Sequence, residues 1–206
     1  AFSMIRFHLS ALRLCCTQHD CTALESLPAM QRRRLSPLAK LAINAAMQTL
    51  ALQSADYIVW ASQYGDEAKT LGILQDVLTH QTPSPTQFST SVHNAIAGLY
   101  SILCQDETIS TSLSCGWSEA MIEAYAILKT QPQIKTVLVV YYDAPLPEIY
   151  QDRQPFEPFA LSTLLSLERA NVELSAVEQT QDIDALSFYS FWQDQHQTAW
   201  LGWQKC

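Results

Sequence analysis

A chain of 206 residues, 48% of them hydrophobic, is long enough to bury a core and too apolar to remain disordered. Its net charge of −8 and pI near 5.0 disfavour nucleic acid and anionic lipid, whose phosphates it would repel. No run approaches the roughly 18 apolar residues of a membrane span. The start lacks the charged-then-apolar pattern of a cleavable signal, so a cytoplasmic protein without a membrane span is expected.

The acidity is uneven. Six of the 12 basic residues fall within the first 40 positions, with Arg32, Arg33 and Arg34 adjacent. This run reads as a solvated turn before a helix, with a small docking patch as the alternative. Among six cysteines, Cys15, Cys16 and Cys21 cluster around His19 but lack the paired spacing and second arm of a structural zinc site. Reduced thiols are expected, with no metal and no cofactor.

In chain order, the alternation Ile5-Arg6-Phe7-His8-Leu9 predicts a first strand. Ser36-Pro37 supplies an N-cap followed by a proline at the first helical position. Leu38, Leu41, Ala42, Ala45, Ala46 and Leu50 then recur at helical spacing, to about residue 53. Tyr57 to Ala61 reads as a short buried strand, and Asp66 to Thr79 as a helix with Leu71, Leu74 and Leu78 on one side. Residues 80 to 92, with Pro83 and Pro85, break the pattern. Asn94 to Cys104 predicts a helix with small residues Ala95, Ala97 and Gly98, and a strand follows at roughly 107 to 112. Gly116 opens a helix carrying Trp117, Met121, Ala124, Tyr125 and Leu128. Val137 to Tyr142, ending at Asp143, is the clearest strand. A stretch with Pro145, Pro147 and Pro155 leads to a strand over Phe159 to Glu168 and an aromatic tail that reads as core or subunit-facing. Helices alternating with apolar strands predict an α/β layered domain on a mostly parallel mixed sheet.

Three segments, in order, resemble the N-terminal half of β-ketoacyl synthases, which have the thiolase-like fold. Ser84 to Gly98 is similar to the stretch leading into that family's Asn-x-x-x-Gly interface helix. Ile109-Ser-Thr-Ser-Leu-Ser-Cys-Gly-Trp117 sits where ketosynthases carry the strand-to-helix turn bearing their nucleophile. Gln154-Pro-Phe156 and the strand from Phe159 resemble the family's Pro-Phe-Asp segment and its following strand. The likeness is strongest over residues 36–170 of a single domain spanning 1–206, with 171–206 as an aromatic extension. Aligning Thr111 and Gly116 with the family turn puts Leu113 at the nucleophile position, and an alkyl side chain forms no thioester. The chain is also about half the family's usual length, without the lobe that supplies its two catalytic histidines.

These departures resemble a chain length factor of the aryl polyene type, a subunit with no activity of its own inside a β-ketoacyl synthase complex. The resemblance implies a heterodimer with a full-length ketosynthase in type II polyketide synthesis, with acyl carrier protein docking mainly on that partner. The strand over Glu107 to Ser112 would be the edge that pairs with the partner. The implied interface residues are Phe88, His93, Asn94, Ala97, Gly98, Ile109 and Thr111. Leu71, Leu74 and Leu78 would line the acyl tunnel, unless they are ordinary core.

The alternative is a stand-alone acyl-thioester enzyme using Cys115, its thiolate favoured by a helix N-terminus and His93 acting as base. Against it, two helical positions rotate a side chain by roughly 200°, so Cys115 would face away from a pocket addressed by position 113.

Overall fold

The computed structural model describes residues 4–16, 21–150, 155–178 and 183–206. Its strands are β1 (Ile5–Cys16), β2 (Tyr57–Ser62), β3 (Ser110–Ser114), β4 (Val137–Asp143), β5 (Phe159–Ser166), β6 (Val172–Leu174), β7 (Ala199–Trp200) and β8 (Trp203–Lys205). The helices are α1 (Ala29–Arg33), α2 (Pro37–Leu50), α3 (Glu67–Leu78), α4 (Pro85–Ser89), α5 (Ala95–Cys104), α6 (Trp117–Thr130) and α7 (Asp184–Gln193), with a 3-10 turn at Thr22–Ser26.

The strands form one sheet in the order β3-β2-β4-β5-β1-β6-β8-β7. Alternation along β4 builds a core on each face. Val137, Val139 and Tyr141 point to the side covered by α6 and α7, while Leu138, Val140 and Tyr142 point to the side covered by α2 and α5. All seven β4 residues are therefore buried, which explains why this strand reads as an unbroken apolar run. α2 begins as expected, with Ser36 Oγ accepting the Ala39 N–H at 3.1 Å and Pro37 at the first position. Its buried alanines let it lie close against β1, β4 and β5.

The layered α/β class and the mixed sheet hold, but antiparallel joins outnumber parallel ones. β2 pairs parallel with β3 and β4, while the joins from β4 through β5, β1, β6 and β8 to β7 are antiparallel. The two parallel pairs come from helical crossovers, α3 to α5 and then α6. Among the described residues no helix separates β4 from β5, and a parallel neighbour needs such a crossover.

Three boundaries also differ from expectation. β1 runs on to Cys16 because Ala11, at φ 55°, opens a bulge between Ser10 and Arg13. β3 starts at Ser110 because Asp106 accepts Thr108 N–H at 2.8 Å and Tyr100 O–H at 2.7 Å, holding the preceding residues in a turn. Part of residues 80 to 92 forms α4, with Pro85 in its first turn. The aromatic tail is mostly core: Phe188, Phe191 and Trp203 are buried, and the Phe188 and Trp203 ring centroids lie 4.6 Å apart. His19 and Gln154 lie outside the described residues. Among the described residues, no helix is long and apolar enough to cross a membrane.

Candidate functional site

The C-terminal ends of β2, β3 and β4 lie side by side, with Ser62 opposite Ser114 and Ala61 opposite Tyr141. Asp143 ends β4 there, buried, and works as an anchor. Its carboxylate accepts Ser62 O–H at 2.7 Å, Tyr64 N–H at 3.0 Å, Gln63 N–H at 3.1 Å and Tyr141 O–H at 2.7 Å. These bonds pull the β2–α3 loop over the strand ends. Gly65 closes the turn at φ 68°, a conformation favouring glycine, and its N–H donates to Ser62 Oγ at 2.6 Å. Burial raises the Asp143 pKa, although every bond it accepts works the other way.

Between β3 and α6 lies the turn that the sequence resemblance singled out, carrying Leu113 and Cys115. Leu113 is the fourth residue of β3, opposite Ala61. Cys115 follows the strand, and its N–H donates to Ser62 O at 3.2 Å. The helix begins only at Trp117, so positions 113 and 115 belong to extended chain, where alternate residues share a face. Both side chains pack against the same core, the one beneath α6 and α7. The helical rotation behind the expectation that Cys115 turns away does not apply, because Leu113 lies in β3 and the helix begins only at Trp117.

Electrostatics oppose Cys115 as a nucleophile instead. Its thiol is pushed up to about 12, first by burial and then by the carboxylates of Glu119, Asp184, Glu123 and Asp143. The expected lowering by the helix N-terminus fails because that terminus already holds an acid. Asp184, at the start of α7, accepts the Ser118 N–H at 3.2 Å and a second bond from Trp117 N–H. Gly116 makes room for this cap: a Cβ there would lie 2.8 Å from Glu119 Oε2 and 3.0 Å from Asp184 Oδ2. His93 is exposed and lines a separate cavity of about 170 Å³ with Tyr64, Glu67, Thr90 and Tyr142. Among the described residues, neither a hydrogen bond nor a shared cavity joins His93 to Cys115.

Four of the expected interface residues come together. Asn94, just before α5, and Ala97 and Gly98 on it face Thr111 on β3 across a groove of about 430 Å³, with Ser101, Ser110 and Ser112 completing its walls. β3 pairs only with β2, so its outer edge is open. Phe88 and Ile109 are 63% and 65% exposed but lie outside the groove. Ile102, 74% exposed and one turn along α5 from Gly98, belongs to the same open face and was missed. Its only signal was an isoleucine off the buried Ile96–Tyr100 stripe.

The α3 leucines are not ordinary core. Leu71 is half-buried, whereas Leu74 and Leu78 are 50% and 78% exposed. α3 leans on α4, itself exposed, and buries no residue fully. With Val77 and Phe88 the leucines form an open apolar surface rather than a closed tunnel. Cys15 and Cys21 are free thiols, and among the described residues no three His, Cys, Asp or Glu side chains group as metal ligands.

Two solved structures share this architecture. A chain from the complex of a ketosynthase with its chain length factor from Xenorhabdus doucetiae matches with a TM-score of 0.71 at 24% identity, covering 82% of this chain and 81% of the other. A chain from a type II polyketide synthase acyl-carrier protein in complex with its ketosynthase matches with a TM-score of 0.54 at 11% identity, covering 83% and 68%. No curated protein matches by sequence. The model of the β-ketoacyl synthase N-terminal domain matches residues 10–202, nearly the whole chain. The chain belongs to the β-ketoacyl synthase family, with the thiolase-like fold of that family's N-terminal domain.

Proposed function

We propose that this chain is a non-catalytic chain length factor, which pairs with an active ketosynthase and bounds the acyl chamber in type II polyketide synthesis of the aryl polyene kind. The observation that carries this reading is the acid-capped turn. At the place where the family activates a thiol, a leucine occupies the strand, and Asp184 takes the N–H groups that would stabilise an anion. The neighbouring cysteine is held protonated.

The open edge of β3 supports the pairing. An uncovered edge is an aggregation hazard, and a dedicated partner strand removes it. Beside that edge, small residues on α5 allow another backbone to approach closely. The apolar surface of Leu74, Val77 and Leu78 is then the wall this chain presents to the growing acyl chain. The partner carries out decarboxylative condensation and receives the acidic carrier protein, which a chain of net charge −8 would repel.

Gly98→Trp tests the pairing without touching the fold. A Cβ at Gly98 meets no atom within 4 Å, and replacing an exposed helical glycine does not weaken the helix. Co-expressed with the neighbouring ketosynthase, wild type should purify as a 1:1 complex. The Gly98→Trp chain should keep its thermal midpoint but elute alone. Two independently soluble wild-type monomers at micromolar concentration would refute the pairing.

A further inference from the structure

At the far end of β1, Cys15 Sγ lies 3.5 Å from Cys21 Sγ, and both are free thiols. Cys15 is buried, and α2 reaches it through Asn44, which is fully buried. Asn44 Nδ2 donates to Cys15 Sγ at 3.3 Å, while Asn44 Oδ1 accepts the Ala23 N–H at 3.1 Å. One buried amide therefore ties the sulfur of one cysteine to the turn that follows the other. The sulfurs are in van der Waals contact, so a small side-chain movement brings them to bonding distance.

Cys21 is half-exposed and lines a cleft of about 360 Å³ with Arg32, Arg33 and Lys40. Among the described residues the ion pairs are Arg6–Glu173 and Lys69–Asp66, so these three cations have no acidic partner. Arg32 Nε is also buried without a hydrogen-bond acceptor. In a chain of net charge −8, a thiol faces a concentrated, uncompensated positive field. Such a field draws in anions. A merely solvated turn would not enclose a thiol this way.

We propose that Cys21 is a thiol modification site whose cationic cleft selects small anionic disulfides, and that Cys15 resolves the adduct. The Cys21 thiolate attacks one sulfur of the disulfide, forming a mixed disulfide and expelling the other half as a thiolate. Burial, and after it the neighbouring Cys21, hold the Cys15 thiol well above its usual range, so this second step is the slow one: Cys15 attacks Cys21 Sγ as its proton goes to the second departing thiolate. The balance is one external disulfide reduced to two thiols and one Cys15–Cys21 disulfide formed. The site is independent of the proposed pairing. β1 stands four strands from the β3 edge, so a partner seated there leaves the cleft open.

The test exposes the fully reduced chain at pH 8 and low salt to oxidised glutathione, which is anionic, or to cystamine, which is cationic. Each rate is normalised to the urea-unfolded chain, and modified cysteines are located by peptide mapping. Cys21 should react first, with glutathione disulfide favoured by at least about tenfold over cystamine. Adding 0.5 M salt should bring that ratio towards one without any variant, because screening at that strength is nearly complete beyond a few ångströms. The double substitution Arg33→Glu and Lys40→Glu should do the same at low salt. Wild type should proceed to the Cys15–Cys21 disulfide, and Cys15→Ser should stop at the mixed disulfide. First reaction at Cys206 or Cys115, or a ratio near one in wild type at low salt, would overturn the proposal.

Discussion

Alkylation of Cys115 in the native chain measures the electrostatics of the β3–α6 turn directly. Burial, and after it the carboxylates of Glu119 and Asp184, push this thiol from 9.0 to about 12. At pH 8 that leaves roughly a thousandth of the thiolate an ordinary cysteine carries, because each pKa unit is a factor of ten. The thiolate is the reacting form, so the alkylation rate falls with it. Short pulses of iodoacetamide on native and urea-unfolded chain, read by peptide mapping, should show Cys115 slowed at least about a hundredfold by folding. Asp184→Asn keeps an oxygen for the Ser118 N–H but removes one of the negative charges facing the sulfur. Because burial is the first cause, that variant should recover less than about tenfold in rate. Native Cys115 reacting as fast as in urea, or becoming saturably acylated by a thioester, would refute both the electrostatic reasoning and the non-catalytic reading.

Leu74→Trp in the complex should shorten the products while leaving the urea midpoint of the isolated chain nearly unchanged, since Leu74 is half exposed. Unchanged product length would make the chain a scaffold rather than a measuring wall. Asp143→Asn should destabilise the fold by about 2–4 kcal/mol in urea titrations, because four donors converge on the carboxylate and an amide offers a single acceptor oxygen. Asp56 behaves oppositely to the buried acids: bonds from Lys135 N–H at 2.8 Å and Thr136 N–H at 3.0 Å lower its pKa. A lowered folded value means its stabilisation is present above the ordinary carboxylate range and lost as pH falls through that lowered value. The stability gap between wild type and Asp56→Ala should therefore be constant from pH 8 to 5 and close on further acidification.

Where structure depends on neighbours in the chain, the residues themselves were readable. β4 is announced by its apolar run, α2 by Ser36-Pro37, and the open α5 face by small residues spaced along one side. What could not be read is set by contacts distant in sequence. β1, 12 residues long, inserts between β5 and β6, and nothing local to β5 encodes that neighbour. β3 starts late because of a carboxylate turn at Asp106, and Cys115 was assigned to the wrong backbone geometry as a consequence. Leu74 and Leu78 look like core on a helical wheel, yet α3 leans on the exposed α4 and buries no residue fully, so periodicity predicted an apolar face and could not say what covers it.

Asp184 is the extreme case, since 66 positions separate it from the Ser118 N–H it accepts. From the turn alone, a cysteine just before a helix looks activated, because orphan N–H groups and the helix dipole favour an anion there. The aromatic tail reverses that inference by burying Phe188 and Phe191 beneath the sheet, which brings the first turn of α7, and with it Asp184, against the start of α6. A helix end satisfied by its own chain's carboxylate has little left to offer a thiolate or an oxyanion. The same apolar packing that completes the core on this face thus removes the electrostatic basis for a thiolate at the turn, while on the other face the groove between α5 and the edge of β3 stays uncovered.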